Sequence, residues 1–157
     1  MQMKFFTRRQ LMFLSFTCYS AVMLWLLFIR YRNVEIVDYW DQVSTRINLI
    51  PFASMGSMLT TLWGNPRPDV LWVVIYNLGG NIGMFLPLGF FLPELWTKYR
   101  RFWQCVGAVA LVMACVELVQ LFTLRGFCET DDVMLNVLGG AMGYGIWEFF
   151  NRKSGTH

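Results

Sequence analysis

Four stretches of the chain stay apolar for about the 17–25 residues a helix needs to cross the hydrocarbon core of a bilayer. They run over about 11–29, 70–92, 103–124 and 133–150. Each predicts a membrane-spanning helix. The first could be read as a cleaved leader, but its apolar run is too long, and Arg30-Tyr31-Arg32 stands where a small-residue cleavage site belongs, so a retained span is expected. The stretch 47–63 has no charge, yet Asn48, Pro51, Gly56 and several hydroxyl side chains make it a poor spanning helix.

The distribution of cations decides that ambiguity. With four spans and a cytoplasmic N-terminus, Lys4, Arg8, Arg9, Lys98, Arg100, Arg101, Arg152 and Lys153 lie inside, against Arg30, Arg32, Arg46, Arg67 and Arg125 outside. A fifth span over 47–63 would reverse everything after it and put the larger group outside. The expected architecture is therefore a single all-α integral membrane domain over 1–157. Four transmembrane helices form a bundle, 47–63 is an interfacial or re-entrant segment on the outer face, and both termini are cytoplasmic. Composition agrees: 56% of the residues are hydrophobic and only 15% charged, where soluble domains carry about a quarter. The net charge of +3 comes from cations at the ends of apolar runs, so nucleic acid is not an expected partner.

Polar side chains inside spans are costly, so their depth carries information. Asn77 and Asn81 are one helical turn apart on the second span, Glu117 and Gln120 share a face of the third, and Asn136 lies one turn into the fourth. In the four-span topology all five fall in the outer half of the bilayer. The loop after the third span adds Arg125, Glu129, Asp131 and Asp132, and the outer segment adds Arg46 and Asn48. The expected cleft comprises Arg46, Asn48, Asn77, Asn81, Glu117, Gln120, Arg125, Asp132 and Asn136. Arg125 is the expected partner of one of the carboxylates Glu117, Asp131 or Asp132. The bland alternative is a hydrogen-bond network that only glues the helices. Two G-x-x-x-G pairs, Gly79/Gly83 and Gly139/Gly143, predict close packing of the second span on the fourth. Pro87 predicts a kink, and Trp63, Trp72, Trp96, Trp103 and Trp147 predict interfacial belts.

Much chemistry is missing. The one histidine is His157, so no nucleophile-histidine arrangement has a base, and no phosphate-binding or dinucleotide loop is present. Cys18, Cys105 and Cys115 fall within apolar runs and Cys128 in a loop, which predicts neither a disulfide nor a zinc site. No metal and no cofactor are expected. Glu117, Asp131 and Asp132 are the candidates for acid or base work.

An ordered series of short motifs runs through the same residues: Asn48-Leu49-Ile50-Pro51-Phe52, Asn77-Leu78-Gly79-Gly80-Asn81, Phe85-Leu86-Pro87-Leu88-Gly89, Glu117 to Phe122, Arg125-Gly126-Phe127, Asp131-Asp132-Val133 and Asn136-Val137-Leu138-Gly139. Together they resemble the VanZ-like family of bacterial membrane proteins over about Arg46 to Trp147. The resemblance implies the bacterial cytoplasmic membrane. It also implies a link to glycopeptide resistance, since the family's founding member is associated with low-level resistance to teicoplanin, a glycopeptide carrying a lipid tail. Three functions follow as expectations. The first is binding or shielding of an amphipathic lipoglycopeptide or lipid-linked cell-wall ligand at the outer leaflet, with membrane lipid as partner. The second is an intramembrane enzyme with Glu117 as acid or base. The third is a transporter subunit or regulator acting as a homo-oligomer.

Overall fold

The computed structural model describes residues 7–29 and 38–153. Lys4, Arg30, Tyr31, Arg32 and His157, used above for topology or chemistry, lie outside these. The described chain is almost wholly helical. Helix α1 (Arg8–Leu24) continues as a π-helical turn (Trp25–Ile29), and is followed by α2 (Tyr39–Thr45), α3 (Ala53–Gly64), α4 (Pro68–Leu95), α5 (Phe102–Phe122) and α6 (Thr130–Lys153). Three segments are long and apolar enough to cross a membrane: Arg8–Ile29, Pro68–Leu95 and Phe102–Phe122. The expected fourth span corresponds to α6. At 24 residues it has the length, but Asp131, Asp132, Asn136 and Glu148 dilute its hydropathy. Helix α3 has 12 residues, about 18 Å, which is too short to cross about 30 Å of hydrocarbon.

The core is built where α4, α5 and α6 meet, around Phe85, Val109, Met113, Tyr144 and Trp147, with Met23 and Leu27 of the first helix completing it. Helices α4 and α6 cross at backbone contact. A Cβ built on Gly139 would lie 2.1 Å from the Ile82 carbonyl oxygen, and one on Gly143 would lie 1.9 Å from that of Leu86. The second expected glycine pair behaves differently. Around Gly79, Gly80 and Gly83 a Cβ would meet nothing within 4 Å, and the α4 glycine that does touch α6 is Gly89, against Gly140. The expected close packing of α4 on α6 is found, but only α6 uses its G-x-x-x-G pair for it, against α4 carbonyls, while the α4 pair stands clear.

Helix α4 runs unbroken through Pro87 and Pro93. Each proline lacks an N–H and leaves the carbonyl four residues earlier without its helical donor. For Pro93 that carbonyl is Gly89, and the buried Cys105 thiol of α5 donates to it at 3.6 Å. All four cysteines are free. At the end of the bundle where α1 starts and α4 finishes, Glu94 accepts from Arg8 at 3.0 Å and from the Trp147 indole N–H at 3.1 Å. Trp147 is therefore a buried anchor, which corrects its expected place in an interfacial belt, whereas Trp63, Trp72 and Trp103 are broadly exposed. Trp147→Phe keeps the ring and removes the donor. It is expected to lower the stability of the detergent-solubilised protein by about 1–2 kcal/mol. An unchanged thermal melt would show that this bond contributes nothing.

One feature is not helical. Ile47–Asn48 (β1) and Cys128–Glu129 (β2) form a two-residue parallel ladder, reinforced by the Cys128 N–H donating to the Arg46 carbonyl at 2.8 Å. This clip fastens the lead-in of α3 beside the lead-in of α6.

Candidate functional site

The clip determines what meets what. Two residues after Glu129 comes Asp131, and four residues after Asn48 comes Phe52, at the start of α3. Phe52 is held in the left-handed region at φ 64°, and α3 has no side-chain cap of its own. Asp131, 2% exposed, supplies one from a distance: its carboxylate accepts from the Phe52 N–H at 2.5 Å and the Met55 N–H at 2.9 Å. A carboxylate at a helix N-terminus answers both the orphan donors and the positive end of the dipole. Asp131, an expected acid-base candidate, thus has both oxygens engaged in holding α3. Asn48 belongs to the same corner, donating to Ser54 Oγ at 3.2 Å, while Ser54 donates to Glu129 Oε2 at 2.7 Å.

Behind this corner lies a cavity of about 720 Å³, bounded by α1, α3, α4, α5 and the first turns of α6. Arg46, Asn77, Asn81, Glu117, Gln120, Arg125, Asp132 and Asn136 all line it, so of the expected cleft residues only Asn48 stands outside the lining. Helical spacing explains this assembly. Asn77 and Asn81, and likewise Glu117 and Gln120, are separated by one turn, and α4, α5 and α6 turn those faces toward one another.

The partners differ from those the sequence predicts. Arg125 meets no carboxylate among the described residues; its guanidinium donates to the Phe28 carbonyl. Gln120 donates to the Leu27 carbonyl at 3.0 Å. The last carbonyls of a helix have no intrahelical donors and carry its negative end, so the close of the first helix attracts both groups. Arg46 donates to the Leu124 carbonyl at 2.7 Å, and its guanidinium lies 5.5 Å from the Phe127 ring centroid. Among the described residues the ion pairs are Arg8–Glu94, Arg67–Asp69 and Arg152–Glu148, none of them at the cavity.

The carboxylates therefore receive only neutral donors. Asp132 Oδ1 accepts from the Asn81 amide at 2.6 Å. Glu117, 2% exposed, accepts from the Glu129 N–H through Oε2 at 3.2 Å, and its Oε1 has no hydrogen-bond partner among the described residues. Asn136, equally buried, gives its amide to the Asp132 carbonyl at 2.8 Å, and its Oδ1 has no partner among the described residues. Asn77 turns back onto its own helix, donating to the Val73 carbonyl at 2.8 Å. Burial, and then the Glu117 carboxylate, push the Cys128 thiol up from its ordinary range, so it is poorly suited as a thiolate nucleophile. No group of three His, Cys, Asp or Glu able to hold a metal occurs among the described residues.

Sequence reading missed the apolar wall. Met23, Met55, Met58, Met84 and Met113 come from four different helices to line the cavity, with the bare face of Gly79, Gly80 and Gly83 beside them. Five of the chain's ten methionines gather there, which could have been noticed only as a surplus of methionine.

A membrane-embedded helical bundle with a mainly apolar cavity that carries a polar end is the class these features define. A family model described as VanZ/LLP1 matches residues 16–151, and the chain belongs to that VanZ-like family. No curated protein and no solved structure matches it.

Proposed function

We propose that this VanZ-like membrane protein binds an amphipathic molecule in its cavity at the outer leaflet, either a lipid-tailed glycopeptide or a lipid-linked cell-wall component, and so reduces the amount free at the surface. The cavity itself carries the reading. Its volume lies within the 300–1,000 Å³ usual for ligand sites. One wall is methionine, a flexible and polarisable side chain that adapts to varied apolar partners. The other is a set of convergent polar groups, among them the incompletely paired Glu117.

In this reading α6 is a fourth span, the termini are cytoplasmic and the membrane is the bacterial inner one. The excess of cations on the proposed inner side supports that orientation, as does the Arg8–Glu94 pair, which places the start of α1 beside the end of α4 as two antiparallel spans require. With α3 too short to cross, it covers the cavity from the outer side as a re-entrant or interfacial segment.

The test is expression in a lipoglycopeptide-susceptible Gram-positive host, alongside Glu117→Gln, Arg125→Ala and Asp132→Asn. Wild type is expected to raise the drug concentration needed to stop growth and to leave the drug's mass and the lipid mass profile unchanged. Each variant is expected to lose most of that protection. A new lipid or drug mass that disappears in Glu117→Gln would replace binding by catalysis. Three folded variants that all protect as wild type does would remove the cavity from the function.

A further inference from the structure

The cavity's charges do not balance internally, and the imbalance describes what is missing. Glu117, Glu129 and Asp132 all line it, and each takes hydrogen bonds only from neutral groups: a backbone N–H, a serine hydroxyl and an asparagine amide. The two guanidiniums at the same cavity donate to main-chain carbonyls and lie beyond 4 Å from any described carboxylate. Two buried acceptors, Glu117 Oε1 and Asn136 Oδ1, receive no hydrogen bond from any described residue. A buried acceptor without a donor is costly, and a buried carboxylate without a cation more so. Pro87, also in the lining, leaves the Gly83 carbonyl without its helical donor as well.

Resting on the ligand-binding role proposed above, we infer that the acidic end of this cavity receives a primary ammonium group carried by an amphipathic lipid. A hydroxyl would bring a donor but no charge. A quaternary ammonium would bring charge but no N–H. A primary ammonium brings one positive charge and three donors, which is what the unpaired acceptors and the uncompensated carboxylates require together. A phosphate next to that ammonium would meet Arg46 and Arg125, each of which donates one N–H to a carbonyl and carries further N–H groups on its guanidinium. The apolar tail would lie against the methionines and the open glycine face, where no side chain intrudes.

The purified protein, in detergent micelles containing equal amounts of competing lipids of one acyl composition, is assayed by native mass spectrometry. The probes are phosphatidylethanolamine, its N-acetylated form, phosphatidylcholine and a galactosyl diacylglycerol. Phosphatidylethanolamine is expected to be retained at least about tenfold over each of the others, the scale of a charge-assisted hydrogen bond. Glu117→Gln and Asp132→Asn are each expected to erase that preference, while Leu111→Ala, on the exposed side of α5 away from the cavity, keeps it. The wild-type comparison decides even if a variant fails to fold. Equal retention of the N-acetylated lipid, or preference for the galactolipid, overturns the ammonium assignment while leaving ligand binding intact. No retained lipid overturns both. Water-soluble phosphoethanolamine binding as tightly as the lipid would overturn the amphipathic part and assign the site to free amines.

Discussion

Gly143→Ala is expected to break the bundle, whereas Gly79→Ala leaves it folded, although both glycines stand in the same G-x-x-x-G pattern. At position 143 the new Cβ would lie 1.9 Å from the Leu86 carbonyl oxygen and 3.0 Å from the Phe90 nitrogen. These are main-chain atoms of a long helix and cannot swing aside as a side-chain tip can. Helices α4 and α6 would have to separate by more than 1 Å. The separation would also loosen Gly139 on Ile82 and Gly89 on Gly140 in the same crossing. Overpacking usually costs about 1–3 kcal/mol, and a rigid backbone contact along the main helix pair belongs at or above the upper end. A loss of about 3 kcal/mol or more is therefore expected, seen as collapse of the monodisperse peak in detergent chromatography after mild heating. At position 79 nothing lies within 4 Å, so alanine meets open space and stability should move by less than about 1 kcal/mol. Equal heat resistance of the two variants would refute the crossing described here.

The contrast shows what an unaided sequence can and cannot give. Spacing of four identifies a smooth helix face, but does not say whether a neighbour occupies it. Gly139 and Gly143 meet another helix; Gly79 and Gly83 face a cavity. The convergence of Glu117, Gln120 and Asn136 on one cavity was legible because they interrupt apolar runs, and an interruption can be counted along a helix. Pairing was not. The turn after α5 places Leu124 in the left-handed region at φ 55°, which sets where Arg125 emerges, and no residue type there announces it. The guanidinium consequently reaches the end of the first helix and not a carboxylate. Nor did any periodicity mark the two-residue clip or α2, because a ladder of two residues has no alternation to read and seven residues make barely two turns. Yet α2 helps to brace the site: Val43 packs with Leu121 and Leu124, and the Tyr39 hydroxyl donates to the Phe122 carbonyl at 2.9 Å.

The adjacent aspartates are the sharpest case, and substitution should separate them. Asp131→Ala is expected to release α3, while Asp132→Ala leaves α3 in place. Removing the Asp131 carboxylate strips the Phe52 and Met55 N–H groups of their acceptor in a part-buried corner. It also withdraws the carboxylate that fixes the N–H of Phe52 in its unfavourable left-handed conformation. Loss of a helix cap costs about 0.5–2 kcal/mol, and leaving its donors orphaned in a part-buried corner adds about 1.5–2 more. The expected total is about 2–4 kcal/mol, concentrated on α3 because the α4–α6 crossing does not depend on this contact. Hydrogen exchange should accordingly quicken about 30-fold or more in the first turns of α3, at roughly 1.4 kcal/mol per factor of ten, with α5 and α6 unchanged. Asp131→Asn should fall between, since one acceptor oxygen remains while the charge facing the helix dipole is gone. Asp132→Ala removes the acceptor of the Asn81 amide on the cavity wall and touches no donor of α3, so exchange there should stay at the wild-type rate. Uniformly faster exchange in both variants would mean that the two carboxylates act as one electrostatic unit. Protection of α3 unchanged in Asp131→Ala would mean that the clip alone holds the cover over the cavity.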